Sequence, residues 1–109
     1  MKIEGVPFRT IDWTTVPVTE HPGDTGKATW RTMEQGNVRV RMVEYSAGYM
    51  ANHWCGRGHV IHVLEGTLVT ELQDGREVTT PAGGTYVVEE NGAAHRSRTV
   101  ERVKLFIVD

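Results

Sequence analysis

Residues 53–59 read His-Trp-Cys-Gly-Arg-Gly-His, and a further histidine, His95, follows later in the chain. Side chains at even separations along a β-strand point to the same face, so His53, Cys55 and His59 can face inward together. Imidazole nitrogen and thiolate sulfur suit zinc, iron, nickel or copper, whereas magnesium and calcium prefer a shell of oxygen atoms. The segment therefore predicts a transition-metal site built on strands, with His95 available to complete it.

Short runs rich in Val, Thr, Tyr and Ile surround this segment, and the 12 glycines of the chain often fall between them. Asp74-Gly75 is the strongest hairpin signal, because both residues tolerate the positive φ of a type I′ turn. Residues 17–27 are rich in Pro, Gly and Thr and are predicted to form a loop or N-terminal arm. The predicted strands are residues 28–33, 38–45, 60–64, 67–72, 77–80, 85–88, 94–100 and 103–108. This series of short strands, with no helical periodicity, predicts an all-β sandwich or barrel.

Length and composition limit the possible classes of protein. A chain of 109 residues forms one domain, with the barrel over about residues 28–108. The net charge of −2 and the dispersed arginines predict no nucleic-acid binding, and no run approaches the roughly 18 apolar residues of a membrane span. The N-terminal residues lack the apolar core of a signal peptide, and a single cysteine forms no internal disulfide. We therefore expect a cytoplasmic protein.

The spacing of the histidine segment resembles the first motif of the cupin family. That motif runs Gly, His-x-His, Glu and Gly, and here Gly48, His53-x-Cys55, His59 and Gly66 occupy the corresponding places. The spacing from His53 to Gly66 agrees with the motif, although Gly48 lies one residue closer to His53 than in the family.

A second cupin motif is matched in part. It runs Gly, Pro-x-Gly, His and Asn, and here Gly84, Gly92 and His95 keep their places while the Pro and Asn are absent. The resemblance covers roughly residues 38–108. Residues 52–59 more narrowly resemble the small bacterial DHCW-motif cupins, which usually have Asp where this chain has Asn52. That group has no assigned activity.

The resemblance implies a double-stranded β-helix, a single-domain jelly-roll barrel with a metal inside, and assembly as a homodimer. It places His53, Cys55, His59 and His95 at the four ligand positions and predicts one divalent transition metal: Zn, Fe, Ni, Mn or Cu. Three imidazoles and a thiolate would close a tetrahedral zinc shell. A withdrawn Cys55 would instead leave open positions for a catalytic metal, and a five- or six-coordinate iron could hold all four groups and still bind substrate.

Three further residues are candidates for substrate binding. Arg41 and Tyr45 share a face of the strand that leads toward the site, and Arg57 is flanked by glycines and can pair with an anion through a bidentate fork. The alternative for Arg57 is an ordinary exposed arginine, and Trp30 is expected in the core rather than in the pocket.

Two functions fit these observations. The first is a mononuclear metalloenzyme, dioxygenase- or isomerase-like, that acts on a small polar or anionic molecule. The second is a non-catalytic small-molecule-binding or sensing protein in which the metal recognises the ligand or holds the barrel together.

Overall fold

Nine β-strands form nearly all the regular structure of residues 1–109, which the computed structural model describes in full. A single 3-10 turn, Trp13–Thr15, precedes them, and its backbone is capped by the Asp12 side chain, which accepts from the Thr14 N–H. No helix is long and apolar enough to cross a membrane. The strands are β1 Val18–Pro22, β2 Lys27–Gln35, β3 Val38–Tyr45, β4 His59–Glu65, β5 Thr67–Leu72, β6 Glu77–Pro81, β7 Thr85–Val88, β8 His95–Arg98 and β9 Val103–Val108.

The strands form two sheets in which every pairing is antiparallel. The larger sheet has the order β1-β2-β3-β9-β4-β7, and the smaller has the order β6-β5-β8. Val43 of β3 lies opposite Leu105 of β9, and both are fully buried. Leu68 of β5 is equally buried and contributes to the same core from the other sheet. The all-β, single-domain prediction is confirmed.

The inward faces of three adjacent strands change from apolar to polar at one end of the core. Alternation along β3 continues the buried face from Val43 to Arg41, and along β9 it continues from Leu105 past Ile107 to Asp109. On β4, the neighbour of β9, the same face ends at His59. Strand order and alternation together therefore bring charged and ligand-type side chains to one end of the barrel.

The prediction of a loop over residues 17–27 is wrong in part. Strand β1 occupies Val18–Pro22 and pairs with β2 from Val18↔Arg31 to Pro22↔Lys27. The Pro and Gly content of residues 17–27 suggested a loop, but an edge strand has one unpaired side and tolerates proline at its end. Only the loop after Pro22 agrees with the prediction.

The predicted hairpin at Asp74-Gly75 is confirmed, but its turn is not the expected type I′, because Gly75 has a positive φ and Asp74 does not. Gly75 has a φ of 98°, and β5 and β6 pair on either side with Glu71 opposite Glu77. The Asp74 carboxylate accepts a hydrogen bond from the Arg76 N–H at 3.0 Å, which closes the turn. The strand predicted over residues 94–100 is shorter, and ends at Arg98.

Replacement of Leu105 by alanine tests the position of the core. The side chain is fully buried in the central strand of the larger sheet, so Leu105→Ala should lower the free energy of unfolding by about 3 kcal/mol. Leu64→Ala is the matched control, because Leu64 is 39% exposed, and it should cost about 1 kcal/mol or less. Urea denaturation measures both, and equal losses would contradict this assignment of the core.

Candidate metal centre

Cys55, His59 and His95 bring three ligand-type atoms together at the polar end of the barrel. One atom from each, the thiol sulfur and two ring nitrogens, lie within 4.8 Å of one another. The Nε2 atoms of His59 and His95 are only 2.8 Å apart. Nitrogen ligands at about 2.0–2.1 Å from one metal lie on the order of 3 Å apart, so the two imidazoles already have the separation of ligands to a shared ion. These residues therefore fit a transition metal.

Two strand termini and a loop position the three side chains. His59 begins β4 and His95 begins β8, whereas Cys55 forms an isolated bridge with His95. The Cys55 N–H donates to the His95 carbonyl at 2.7 Å, and the His95 N–H donates to the Cys55 carbonyl at 3.0 Å. This double hydrogen bond sets the thiol beside the imidazole.

The expectation that His53 and Cys55 share a strand is wrong. Both lie in the segment between β3 and β4. Cys55 pairs there only with His95, and the chain after it runs beside residues 89–91. A Cβ on Gly58 would come within 2.5 Å of the Glu90 nitrogen, and the Asn91 N–H donates to the Gly56 carbonyl at 2.7 Å. Close backbone packing at these glycines replaces the strand.

His53 lies outside the three-residue cluster. Its side chain is exposed, and its Nδ1 is 2.8 Å from the Asn52 side-chain oxygen. It nevertheless lines the same cavity as Cys55, His59 and His95. Its place as a fourth ligand stays a prediction.

The second ring nitrogen of each clustered histidine faces an oxygen. The His95 Nδ1 is 2.8 Å from the Ala93 carbonyl, so it carries the proton and leaves Nε2 with a free lone pair. The His59 Nδ1 is buried and lies 3.5 Å from the Asp109 Oδ2, close to the carboxylate but without a hydrogen bond to it. Histidine ligands in metalloproteins usually have such partners, which fix the orientation of the ring and the position of its proton.

The thiol and the His95 ring alter each other's protonation. Their hydrogen bond lowers the pKa of Cys55, and it raises the pKa of His95. The Cys55 pKa is lowered further by the backbone N–H of Arg57 and by the charges of His95 and Arg41, against the opposing effect of burial. These contacts shift the equilibrium of the thiol toward the thiolate, which is the form that binds metal.

Asp109 is the charged centre of the neighbouring side-chain network. Arg39 holds its carboxylate through a bidentate pair, at 2.8 and 3.0 Å, and Arg41 Nη2 adds a contact of 2.8 Å. Burial alone would raise the pKa of Asp109, but the contact with His59 and the pairs with Arg39 and Arg41 hold it well below its usual range. Sequence reasoning selected Arg41 and missed Arg39 and Asp109. One signal in the sequence could have found them. Arg39 lies two residues before Arg41, and Asp109 lies two residues after Ile107, so the two side chains of each pair share a face of the strand.

A cavity of about 310 Å³ connects the ligand cluster with this network. The predicted substrate-binding residues Arg41, Tyr45 and Arg57 all line it. Trp30 also lines it as well as packing against the core, so the expectation of a core position alone is wrong. The Tyr86 hydroxyl is 3.5 Å from the His59 Nε2, and burial raises the pKa of Tyr86, which keeps it protonated.

Several solved structures have a similar fold. The polyketide cyclase RemF from Streptomyces resistomycificus has a TM-score of 0.76 and 22% identity, over 94% of this chain and 78% of that one. A cupin-2 domain protein from Shewanella frigidimarina has a TM-score of 0.59 and 25% identity, over 73% and 78%. The Fe(II) form of HppE has a TM-score of 0.73 and 15% identity, over 97% of this chain and 60% of that one.

These similarities confirm the predicted jelly-roll fold. No protein-family model matches the sequence, and neither does any curated protein. Because the identities are low, the activity of each of these proteins belongs to that protein.

Replacement of Asp109 by asparagine tests the charged network. The change keeps the shape of the side chain but leaves Arg39 and Arg41 without their buried counter-charge, so we expect a loss of about 3 kcal/mol in the free energy of unfolding near neutral pH. A carboxyl group whose folded pKa is lowered stabilises the fold above its unfolded pKa, and this contribution disappears as the pH falls.

The difference between wild type and Asp109→Asn should therefore shrink progressively below about pH 4. Urea denaturation over a pH series measures it. Asp74→Asn removes an exposed carboxylate from the hairpin turn and should have a smaller effect throughout. A difference that stayed constant with pH would contradict the role assigned to the Asp109 charge.

Proposed function

We propose that this chain, which has the fold of the cupin superfamily, binds one divalent transition metal through Cys55, His59 and His95 and uses it to bind and transform a small polar or anionic molecule. The observation that carries this proposal is the 2.8 Å separation of the two Nε2 atoms, with the Cys55 thiol beside them. Thiolate and imidazole ligands favour zinc, iron, nickel or copper, and manganese remains within the proposed set.

The residues around the cluster have separate proposed tasks. A bound metal supplies Lewis acidity, which polarises an oxygen atom of the bound molecule. Arg57, at the edge of the cavity, orients an anionic group of that molecule. The protonated Tyr86 hydroxyl, near His59, donates a hydrogen bond to oxygen atoms bound at the cluster. Arg41 and Tyr45 also line the cavity and are proposed to contact the bound molecule.

A second candidate function is non-catalytic binding or sensing of a small molecule. One observation favours it. Asp109 is the only carboxylate that lines the cavity, and its ion pairs with Arg39 and Arg41 keep it ionised and engage its oxygen atoms. The cavity therefore offers no free carboxylate as a general base, and an enzyme at this site would depend on Tyr86 or on the metal itself.

A homodimer and a cytoplasmic location complete the proposal. Phe8 is fully exposed and Val87 is 73% exposed, so each monomer leaves large apolar side chains that a second copy can cover. The resemblance to cupins favours the same assembly.

Metal content provides the first test of the metal site. Protein purified without oxygen should contain about one equivalent of transition metal per chain, and His95→Ala should remove most of it, because the variant loses one of three clustered ligands. His62→Ala is the control, since His62 contacts the Thr85 hydroxyl at 2.8 Å outside the cluster. Elemental analysis measures the equivalents in each protein.

Absence of metal from the wild type, with none taken up on reconstitution, would contradict the proposal. So would equal metal content in His95→Ala and His62→Ala. Zinc, in place of a redox metal, would support metal binding and direct attention to hydrolytic or isomerising chemistry.

Cobalt substitution distinguishes the contributions of Cys55 and His53. The cobalt protein should show a thiolate-to-metal charge-transfer band, and Cys55→Ser should abolish it, because only Cys55 supplies sulfur to this site. His53→Ala should keep the band and weaken cobalt binding by roughly tenfold, as the loss of a peripheral ligand does. Unchanged affinity in His53→Ala would reduce the shell to three residues, and a band that persisted in Cys55→Ser would exclude thiolate ligation.

A further inference from the structure

We infer that the cavity binds a small organic dianion, with one carboxylate on Arg57 and the second anionic group at the Cys55–His59–His95 cluster. This inference rests on the proposed function and names the class of molecule bound. It also predicts that Arg57, rather than Arg39, distinguishes a dianion from a monoanion.

The first argument is the balance of charge along the cavity. Arg39, Arg41 and Arg57 all approach the single carboxylate of Asp109, with nitrogen–oxygen distances of 2.8, 2.8 and 3.6 Å. Around Asp109, three positive groups and one negative group leave an excess of two positive charges, which an ionised Cys55 on the same cavity reduces to one. Arg41 is only 7% exposed, so water does little to compensate this excess. A bound anion would compensate it.

The second argument is the availability of Arg57. Both donors of the Arg39 fork are engaged by Asp109. The Arg57 Nε lies 3.6 Å from Asp109 Oδ2, beyond hydrogen-bond length, and its side chain is 48% exposed. The whole Arg57 fork is therefore free for a carboxylate, which it can bind through two parallel hydrogen bonds.

The backbone at Arg57 is fixed even though its side chain is free. The Gly58 N–H donates to the Glu90 carboxylate at 2.9 Å, and the Gly56 carbonyl accepts from Asn91. An anchored backbone limits the entropy lost when the side chain closes on a ligand.

The third argument is the apolar wall of the cavity. Trp30, Tyr45, Tyr49, Ile61 and Ile107 lie along the space that Arg57 and the cluster share. A ligand that spans this space needs an apolar body between its anionic ends, so inorganic phosphate would leave the wall unused. The cluster with a bound metal would accept an anionic oxygen at the far end.

The experiment compares dicarboxylates with their own monomethyl esters. Malonate, succinate and glutarate, each beside its ester, and inorganic phosphate are titrated by calorimetry into zinc-loaded and metal-free protein. The best dicarboxylate should bind the zinc-loaded protein at least roughly tenfold more tightly than its ester, as expected for an added charge-assisted contact. Arg57→Gln should remove at least roughly tenfold of that affinity, and Arg57→Lys should restore part of it.

Arg76→Gln is the matched control, because Arg76 is an exposed arginine that pairs with Asp74 in the hairpin turn. It should bind as the wild type does. Equal affinity for every dicarboxylate and its ester would overturn the inference, and so would tighter binding of phosphate or an unchanged affinity in Arg57→Gln.

Zinc content, measured on the same samples, separates the two proposals. Protein that holds zinc but fails the dicarboxylate test overturns the inference alone. Protein that takes up neither zinc nor any other metal of the proposed set contradicts the proposed function. In that case tighter dicarboxylate binding to metal-free wild type than to Arg57→Gln would still support the arginine end of the site, and equal binding would overturn it.

Discussion

The buried Asp109 carboxylate links the core strands to the candidate metal ligands. Its backbone N–H and carbonyl both pair with Arg39, and its side chain contacts the guanidinium groups of Arg39 and Arg41. A carboxylate with no exposed surface is unfavourable unless its charge is compensated, so these contacts are a condition of the fold at this end of the barrel. The same carboxylate lies 3.5 Å from the His59 ring, so the charge that holds the strands together also lies beside a candidate ligand.

The sequence predicted those strands in which the alternation of apolar and polar residues matches the alternation of buried and exposed positions in the fold. Strand β9 was predicted with the bounds observed, because its buried and part-buried positions alternate over its whole length. Strand β1 was missed because its residues are those of a loop, and only pairing with β2 makes them a strand. Cys55 illustrates a third case. Strand parity predicted that it lies near His59, and it does, but it lies in a loop. The path of this loop is set by Gly56, Gly58 and one bridge to His95.

Long-range contacts explain why part of the site was not predicted. Arg39 and Asp109 are 70 residues apart in the chain and meet because β3 and β9 are neighbours in the sheet. Alternation predicts which face a residue occupies, but it does not predict which strand lies beside it. The cluster residues His59 and His95 were predicted because the resemblance to the cupin motifs supplied the missing strand order.

The ligand types influence where anion selectivity arises. A cupin shell of three histidines and a glutamate carries one negative charge, and the thiolate of Cys55 supplies the same single charge when His59 stands in the place of the glutamate. The exchange therefore leaves the charge of the shell unaltered and replaces a hard oxygen donor with a soft sulfur donor. The excess positive charge of the cavity then comes from its arginines, of which Arg57 is the one with an unengaged fork. In the proposed site, metal preference and anion selectivity therefore depend on different residues, so a change in one need not alter the other.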